Sequence, residues 1–447
     1  MSGGMSGGGI RGDVRPVRLA HLGLGAFFRA HQAWYTAHAP DAEAWGIAAF
    51  TGRRPDLAVA LNAQDCRYTL IERHADGDRA EIVSSIAAAY AGTDLEAWRT
   101  TIASPEVGAI TLTVTEAAYP AVPERDDALL ADVRRWPEGA PSTVTGRILA
   151  GLHARRAADA GPLALVSCDN LPDNGAVLRH AVRWAAGEVD SGLAGWIERH
   201  VSFVSTVVDR ITPASTDEDR AAAKELTCWA DASPVVTEPF SEWILSGDFP
   251  AGRPGWDGAG ARFVDDVEPF VRRKLWLLNG AHSLLAYAAA TRGHETVADA
   301  VHDEVCVGWM GEWWDAAQRH LGLDAADVLE YRNALRYRFA NPRIRHRLAQ
   351  IGMDGSQKLP VRVLPVLRAD LAAGHSPVGA ARPIAAWIRH LRGETFEVRD
   401  PAAATFTAAA SGPPRDAVRA VVSLLDEDLA EQRDLVRLIE GLVRDLG

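Results

Sequence analysis

The chain has 447 residues, of which 47% are apolar and 24% charged, and 59 acidic residues outnumber 47 basic ones to give a net charge of −12. This length favours two domains over one, and the composition is that of an ordinary globular protein. The acidic balance argues against a nucleic-acid partner, because polyanion binding depends on clustered positive charge. The chain lacks any run of about 18 apolar residues, so we expect neither a transmembrane helix nor a membrane partner.

The spacing of the four cysteines and the composition of the N-terminal residues indicate the cellular compartment. Cys66, Cys168, Cys228 and Cys306 lie far apart in sequence, which argues against a local zinc site and a disulfide framework and favours a reducing cytoplasm. Residues 1–15 are rich in glycine, lack a hydrophobic signal core and are predicted to form a disordered tail.

From residue 16 to about 265, short apolar runs alternate with helical patterns. This alternation predicts an α/β domain with a parallel sheet and crossover helices. The predicted strands are, in chain order, Val17–Leu22, Trp45–Phe50, Ala109–Thr115, Leu163–Cys168 and Ser202–Val208.

Past Phe263 the pattern changes to long helices. Several glycines and a proline between residues 252 and 260 precede this change and mark a boundary. We therefore predict a Rossmann-type dinucleotide-binding domain over residues 16–265 and a mostly α-helical substrate and catalytic domain over residues 266–447. The predicted helices of the second domain include Val271–Ala290, Ile384–Leu391 and Val418–Leu446.

A glycine turn follows the first predicted strand, in the segment 23–29 with sequence GLGAFFR. A tight turn there exposes backbone N–H groups at a helix N-terminus, which suits a pyrophosphate, although a purely structural glycine turn is the alternative. Phe28 replaces the third glycine of GxGxxG, so the place of the turn at the first strand–helix junction supports the prediction more than the motif does. The residues expected to bind the cofactor here are Gly23, Gly25, Ala26, Phe27 and Arg29.

Residues after the second predicted strand bear on the choice of cofactor. Asp56 is placed to accept hydrogen bonds from ribose hydroxyls, which favours NAD, whereas Arg53 or Arg54 would hold a 2′-phosphate and favour NADP. Both alternatives stay open, with NAD expected first.

The predicted helix after residue 270 carries a lysine, an amide and an imidazole. On an α-helix Asn279 lies about 140° and His282 about 80° around the axis from Lys274, so all three side chains border one side. Interconversion of a secondary alcohol and a ketone needs a proton acceptor, a hydrogen-bond donor to the carbonyl oxygen and a group that orients hydroxyls. The alternative is a structural role for all three residues. In that case Lys274 is a solvated surface residue, Asn279 with Gly280 allows close helix packing, and His282 is a hydrogen-bonded core histidine.

Lysine is rare in this chain, since Lys224, Lys274 and Lys358 are the only lysines among 47 basic residues. Arginine stays protonated, whereas a buried lysine can lose its proton near neutral pH, so a genome biased toward arginine spares lysine where a proton must be removed. This favours Lys274 as the general base. No Tyr-x-x-x-Lys pair and no zinc-ligand spacing is found, so we expect no metal.

Five separated blocks resemble the long-chain mannitol dehydrogenase family, which includes mannitol 2-dehydrogenases and fructuronate reductases. The family pattern GxGxFxRAH accounts for the missing third glycine, and Thr115 and Glu116 of the second block are expected to contact the cofactor. The blocks are HLGLGAFFRAHQAWYT from His21, LTVTEAAY from Leu112, VSCDNLPDNG from Val166, VDRITP from Val208 and KLWLLNGAHSLLAY from Lys274.

The resemblance implies a metal-independent reaction in which Lys274 takes the alcohol proton while hydride passes to nicotinamide. It implies that Asn170 and Asn279 hold the reacting oxygen. It further implies that the residues contacting substrate hydroxyls or a terminal group are Asp209, His282 and Lys358.

Residues 338–360 resemble the fructuronate reductase branch more than the mannitol dehydrogenases, which carry arginine where Gln350 stands. Residues 332–347 hold six arginines and no acidic residue. These charges form either a solvated helix face or a positive field that draws in a sugar carboxylate, with Arg343 and His346 binding substrate.

We therefore expect an NAD-dependent enzyme, a monomer or weak homo-oligomer, that interconverts D-mannonate and D-fructuronate. A mannitol, arabinitol or sorbitol dehydrogenase is the alternative. An alternative of another class is a nucleotide-sensing protein without turnover, since a fold alone does not determine function.

Overall fold

The computed structural model describes residues 15–52, 54–114, 118, 126–136 and 140–446. These residues form two units, which divide after Val267. The predicted tail, apart from its last residue, lies outside the described residues, as do Arg53, Thr115 and Glu116. No helix in the described part of the chain is long and apolar enough to cross a membrane.

The first unit is built on a mostly parallel sheet. Its strands are β1 Val17–Leu22, β2 Gly46–Phe50, β3 Tyr68–His74, β4 Gly77–Val83, β5 Ile86–Tyr90, β6 Ala109–Leu112, β7 Leu163–Ser167, β8 Val201–Asp209, β9 Val235–Thr237, β10 Glu242–Ser246 and β11 Arg262–Phe263. The main sheet has the order β11-β10-β8-β7-β6-β1-β2-β5, and β4-β3-β9 form a smaller one.

The six strands β5, β2, β1, β6, β7 and β8 run parallel to one another, while β10 pairs antiparallel with β8. Numbered along the chain, these six have the spatial order 3-2-1-4-5-6 of dinucleotide-binding folds. The connections change direction between β1 and β6, and at such a switch point a crevice opens at the carboxyl ends of the strands.

Helices cover both faces of this sheet. Successive residues of β1 belong to different apolar clusters, Leu19 to one and Ala20 and Leu22 to the other, which explains why the strands are continuous apolar runs. The helices are α1 Ala26–Ala30, α2 Gln32–His38, α3 Asp56–Asn62, α4 Leu95–Ile102, α5 Asp127–Arg134, α6 Val144–Ala157, α7 Asn174–Val189, α8 Ser191–His200 and α9 Asp217–Thr227.

All five predicted strands are present, with ends that differ by up to three residues. The predicted strand Ala109–Thr115 ends at Leu112, although the Thr113 N–H still donates to the Leu22 carbonyl of β1. Strand β5 is not among the predicted strands, because its alanine-rich sequence IAAAY favours a helix by propensity. Pairing with β2 overrides that preference.

The second unit is helical. Its helices are α10 Glu268–Arg273, α11 Ala281–Ala288, α12 Val297–Ala300, α13 Glu304–Gln318, α14 Ala325–Phe339, α15 Leu348–Ile351, α16 Gly355–Arg362, α17 Leu364–Ala372, α18 Val378–Leu391, α19 Ala403–Ala410, α20 Pro414–Leu425, α21 Glu427–Glu431 and α22 Arg433–Asp445. Between α10 and α11 lies a π-helical segment, Lys274–Gly280, called the π segment below. The two units together confirm the predicted fold class.

Helix α18 is buried along almost its whole length, and α11, α13 and α22 pack around it. Its apolar residues supply core contacts, and its buried Arg382 is compensated by two hydrogen bonds to Glu312. The prediction of one helix over Val418–Leu446 was wrong. Asp426 is extended and accepts a hydrogen bond from the Leu429 N–H, which ends α20 and begins α21, and Gln432 is extended again before α22.

Arg155, near the end of α6, binds backbone carbonyl groups of the connection that leads to β7 and of the one that leads to β6. Its side chain is fully buried, and its guanidinium donates five hydrogen bonds of 2.8 to 3.0 Å. One arginine thereby satisfies carbonyl groups from two connections of the first unit. The acceptors are the carbonyl oxygens of Ile102, Ser104, Ala160, Gly161 and Pro162.

We predict that Arg155→Lys lowers the free energy of unfolding by about 3 kcal/mol, because a lysine cannot reach all five buried acceptors. Denaturant unfolding followed by tryptophan fluorescence measures the change. Arg199→Lys, at an exposed arginine of α8, is the matched control. A loss below about 1 kcal/mol would contradict the role assigned to Arg155.

Candidate functional site

The chain turns sharply after β1. Gly23 has a φ of +113°, and a Cβ at this position would lie 1.9 Å from the Thr113 carbonyl oxygen, so only glycine fits. The N–H groups of Gly23 and Leu24 both donate to the Phe50 carbonyl at the end of β2. Gly25 then precedes α1 in an extended conformation. The turn therefore lies at the switch point between β1 and β6, where this strand order binds dinucleotides.

Two side chains of the turn point into the protein. Phe28, at the position of the missing third glycine, is fully buried and stacks on His21 with ring centroids 3.5 Å apart. Arg29 is also buried, and its guanidinium donates to the carbonyl oxygens of Gly25 and Ser233. Arg29 was predicted to bind the cofactor, whereas in the structure its guanidinium holds the backbone of the turn.

His21 was missed by the sequence analysis, although a histidine inside an apolar strand is itself a signal. Its Nδ1 lies 2.8 Å from Thr111 Oγ1 and its Nε2 lies 2.9 Å from Thr113 Oγ1. Thr113 Oγ1 donates to the Gly23 carbonyl at 3.0 Å, so His21 Nε2 donates to Thr113 and Nδ1 accepts from Thr111. Burial lowers the pKa of His21 to about 3, which keeps this ring neutral.

Asp56 and Arg54 are both exposed after β2. Their side chains form an ion pair of 2.6 Å, so the two charges weighed for cofactor choice lie side by side. An exposed pair of this kind is worth about 1 kcal/mol or less and separates easily when a ligand competes.

Asn170 and Asp209 stand at the carboxyl ends of neighbouring strands. Asn170 is exposed after β7, and Asp209 is buried as the last residue of β8. The preceding Asp169 accepts hydrogen bonds from the Val114 N–H at 2.5 Å and the Ser167 hydroxyl at 2.9 Å. The described candidate residues of the first unit, apart from Asp56, therefore share one edge of its sheet.

Lys274 and Asn279 both belong to the π segment of the second unit. In a π-helix each N–H bonds to the carbonyl five residues earlier, so Asn279 lies one turn along from Lys274 on the same face. The predicted α-helical separation of about 140° was therefore wrong, because one extra residue widens this turn. A π-helical backbone therefore brings positions 274 and 279 closer to one face than an α-helix would.

His282 follows in α11 and is buried. Its ring stacks on Phe339 at 4.7 Å and meets the His346 ring edge-on at 4.8 Å. Among the described residues its Nε2 has no hydrogen-bond partner, which is costly for a buried polar atom and leaves this nitrogen available to a ligand. Burial, with the charges of His346, Arg338 and Arg362, holds the pKa of His282 well below its usual value.

Arg362 on α16 lies next to these residues. Its Nη1 donates to Ser283 Oγ at 3.2 Å and to the Asn279 carbonyl at 3.4 Å. Lys358, one turn earlier on the same helix, donates from Nζ to the Ile351 carbonyl at 3.1 Å. Burial and the Arg362 charge lower the pKa of Lys358. The sequence analysis missed Arg362, although its spacing of four residues from Lys358 places both on one helix face.

The six arginines of residues 332–347 divide into three groups. Arg332 and Arg336 lie over the Trp314 ring at 5.3 and 5.2 Å. Arg338 is buried, and its charge acts on both His282 and His346. Some of these six arginines are therefore solvated, and Arg338 lies near the candidate site. The exposed members of the second half are Arg343, Arg345 and Arg347.

Among the described residues, His294, Asp303 and Cys306 place potential metal ligands within 4.8 Å of one another. Arg292 and His294 both bind the same Asp303 oxygen, so this carboxylate already has a fixed cation. Burial raises the pKa of the Cys306 thiol to about 12, which opposes the thiolate form that metals bind. This group is better described as an ion-pair network than as a metal site.

Comparison with known proteins agrees with this architecture. Residues 17–258 match the mannitol dehydrogenase Rossmann domain and residues 266–446 match the mannitol dehydrogenase C-terminal domain. The D-mannonate oxidoreductase of Escherichia coli (strain K12) is 35% identical, covering 96% of this chain and 93% of its own. The D-arabinitol 4-dehydrogenase of Ralstonia nicotianae is 36% identical, covering 85% and 84%.

Among solved structures, a Pseudomonas fluorescens mannitol 2-dehydrogenase in ternary complex with NAD and D-mannitol is similar at a TM-score of 0.79 and 31% identity. The match covers 97% of this chain and 92% of that one. The fold and these matches define a Rossmann-type, NAD(P)-dependent oxidoreductase that acts on the CH–OH group of polyols or sugar acids. The chain belongs to the mannitol dehydrogenase family, and the resemblance seen in its sequence blocks is confirmed.

The low pKa of His21 predicts a pH dependence of stability. The unfolded chain binds a proton at this histidine below about pH 6.5, and the folded chain does not until about pH 3. The contribution is therefore complete above pH 6.5 and is lost as pH falls toward 3, by about 1.4 kcal/mol per pH unit.

Denaturant unfolding at pH 7, 6 and 5 tests this expectation. His21→Gln should flatten the fall in unfolding free energy by about 1.4 kcal/mol per pH unit, whereas His180→Gln, at an exposed histidine, should leave it unchanged. Equal slopes in wild type and His21→Gln would show that His21 titrates normally.

Proposed function

We propose that this enzyme catalyses reversible NAD-dependent oxidation of a secondary alcohol in an open-chain sugar acid, with D-mannonate and D-fructuronate as the favoured pair. Neutral polyols such as mannitol, arabinitol or sorbitol are the alternative substrates. The similarity to a D-mannonate oxidoreductase supports the first choice, and the similarity to D-arabinitol and mannitol enzymes supports the second.

The observation that carries the choice of an acid is the pair of arginine charges beside His282. Arg362 donates to Ser283 Oγ and the Asn279 carbonyl, and the charges of Arg338 and Arg362 both lower the pKa of His282. Lys358 lies one turn from Arg362 on the same helix. A local positive field of this kind attracts a small anion even in a protein of net charge −12. Arg362 offers the planar donors that suit a carboxylate. Arg343, which is exposed, and His346 are the further residues proposed to bind substrate.

Lys274 is proposed to accept the alcohol proton during oxidation and to return it during reduction. Asn279, on the same face of the π segment, donates a hydrogen bond to the reacting oxygen, and the unpartnered His282 Nε2 binds a substrate hydroxyl. For Asn170 and Asp209 the proposed roles are those implied by the sequence resemblance. A bound dinucleotide supplies the acceptor and donor of hydride.

Gly25, Ala26 and Phe27 are proposed to hold the pyrophosphate through backbone N–H groups at the turn after β1, whereas Gly23, whose N–H donates to the Phe50 carbonyl, is proposed to bind the cofactor by letting the backbone come close to it. The fit rests on the turn itself, where the absence of a side chain at Gly23 lets the backbone lie against Thr113. We propose NAD over NADP, because Asp56 is placed to accept hydrogen bonds from ribose hydroxyls and the similar mannitol 2-dehydrogenase was solved with NAD.

We predict that Lys274→Ala lowers kcat by about 1,000-fold and changes the Kd for NADH by less than about 3-fold, because only the proton acceptor is lost. Lys274→Arg should be almost as inactive, since a guanidinium does not give up its proton. Lys224→Ala, at the exposed lysine of α9, is the control. Retention of more than about a tenth of kcat in Lys274→Ala would remove it from the base role.

A panel of D-mannonate, D-altronate, mannitol, arabinitol and sorbitol, assayed by NADH absorbance with NAD and NADP, tests the substrate class. We expect the highest kcat/KM with D-mannonate. Arg362→Gln should lower kcat/KM for acids by about 30-fold and for neutral polyols by less than about 3-fold, because only acids lose a charge-assisted bond. Arg368→Gln, an exposed arginine of α17, is the control. Turnover of neutral polyols without acids would refute the proposal.

A further inference from the structure

Two consecutive tryptophans of α13 bind the backbone of the π segment. The Trp313 indole N–H donates to the Trp276 carbonyl at 2.8 Å, and the Trp314 indole N–H donates to the Leu277 carbonyl at 2.8 Å. Both indoles are fully buried. Two neighbouring carbonyl groups of one helical turn thus receive hydrogen bonds from side chains of another helix.

The backbone departs from regular helical hydrogen bonding where these indoles bind. The Ala281 N–H would bond to the Leu277 carbonyl in an α-helix and to the Trp276 carbonyl in a π-helix. It donates instead to the Leu278 carbonyl. The indoles of Trp313 and Trp314 donate to the two carbonyl groups, those of Trp276 and Leu277, that this N–H does not bind.

Close packing accompanies these hydrogen bonds. A Cβ at Gly280 would lie 2.3 Å from Cζ2 of Trp313, so the ring contacts the backbone of the π segment directly. A Cβ at Gly379 of α18 would lie 3.2 Å from the Trp313 N, so α18 approaches this part of α13 closely. The glycines allow the helices to approach closely enough for the indole N–H groups to reach the carbonyls.

The Trp314 ring also contacts side chains of α14. The guanidinium groups of Arg332 and Arg336 lie over its ring, and the Phe339 ring centroid is 6.4 Å away. The Trp314 indole, which donates to the π segment, thereby also contacts α14, the helix that carries Arg338. A buried side chain with this many fixed contacts adopts one orientation.

The register of the π segment decides where Lys274 and Asn279 point. With i to i+5 bonding the two side chains lie one turn apart on one face, whereas an α-helical register would separate them by about 140°. A shift of this size would move the amide away from any oxygen that the lysine deprotonates. π-Bulges are found frequently at functional sites for such reasons.

We propose that Trp313 and Trp314 are positioning residues that hold the π segment in the register where Lys274 and Asn279 face the same oxygen. This inference rests on the proposed function, in which Lys274 is the base and Asn279 the hydrogen-bond donor. Neither tryptophan contacts the substrate in this proposal. Each acts through the carbonyl group that it binds.

Trp313→Phe and Trp314→Phe remove the indole N–H, and we expect each to lower kcat by at least about 10-fold while the KM of the sugar substrate changes by less than about 3-fold. Trp309→Phe is the matched control, because Trp309 lies on the same helix and its ring faces Arg292 and Arg382. Incorporation of β-(3-benzothienyl)alanine at position 313 or 314 keeps the bicyclic shape without the N–H, so it also tests the proposal if the phenylalanine variants misfold.

A double-mutant cycle with Lys274→Ala separates positioning from general loosening of the fold. In the Lys274→Ala background the tryptophan substitutions should lower the residual rate by less than about 2-fold, because the base that they position is gone. An equal loss in both backgrounds would overturn the inference. A folded benzothienylalanine variant with wild-type kcat would overturn it as well. Those results leave the proposed function intact, whereas a Lys274→Ala enzyme that keeps more than about a tenth of kcat refutes the base role itself.

Discussion

A chain of hydrogen bonds runs from Thr111 through His21 and Thr113 to the Gly23 carbonyl, and it joins β1 to β6 at the switch point of the sheet. These two strands are adjacent although they are about 90 residues apart in sequence. The chain of bonds requires a neutral imidazole, and burial of His21 provides one by lowering its pKa. The glycine turn lies where it does because Thr113 packs against a residue that has no side chain.

The second unit places charged and polar groups within a largely apolar helical bundle. The buried α18 provides the core, and the polar groups lie on α11, the π segment, α14 and α16. The charges of Arg338 and Arg362 meet there beside His282, while the chain as a whole has a net charge of −12. An acidic protein can in this way present a local positive field, because close and buried charges are screened far less than distant ones.

Several features could be read from the sequence because each depends on a local pattern. The first predicted strand coincides with β1, and the lysine, amide and imidazole of the second unit are close together along one stretch of chain. Other features depend on contacts that no local pattern reveals. The five carbonyl oxygens around Arg155 come from two separate connections, and Arg362 reaches Ser283 across 79 residues. The alanine-rich β5 forms a strand because it pairs with the edge of β2.

The sequence by itself determined the alternation of strands and helices, the glycine turn after the first strand and the family, because periodicity, turn chemistry and motif blocks are written in consecutive residues. Only the tertiary structure decided the helical register around Lys274. The residues 271–290 read as a continuous α-helix, and a π-helical turn is favoured there because Trp313 and Trp314, more than 30 residues away, donate hydrogen bonds to two of its carbonyl groups. A backbone register that depends on distant hydrogen-bond donors cannot be inferred from its own residues.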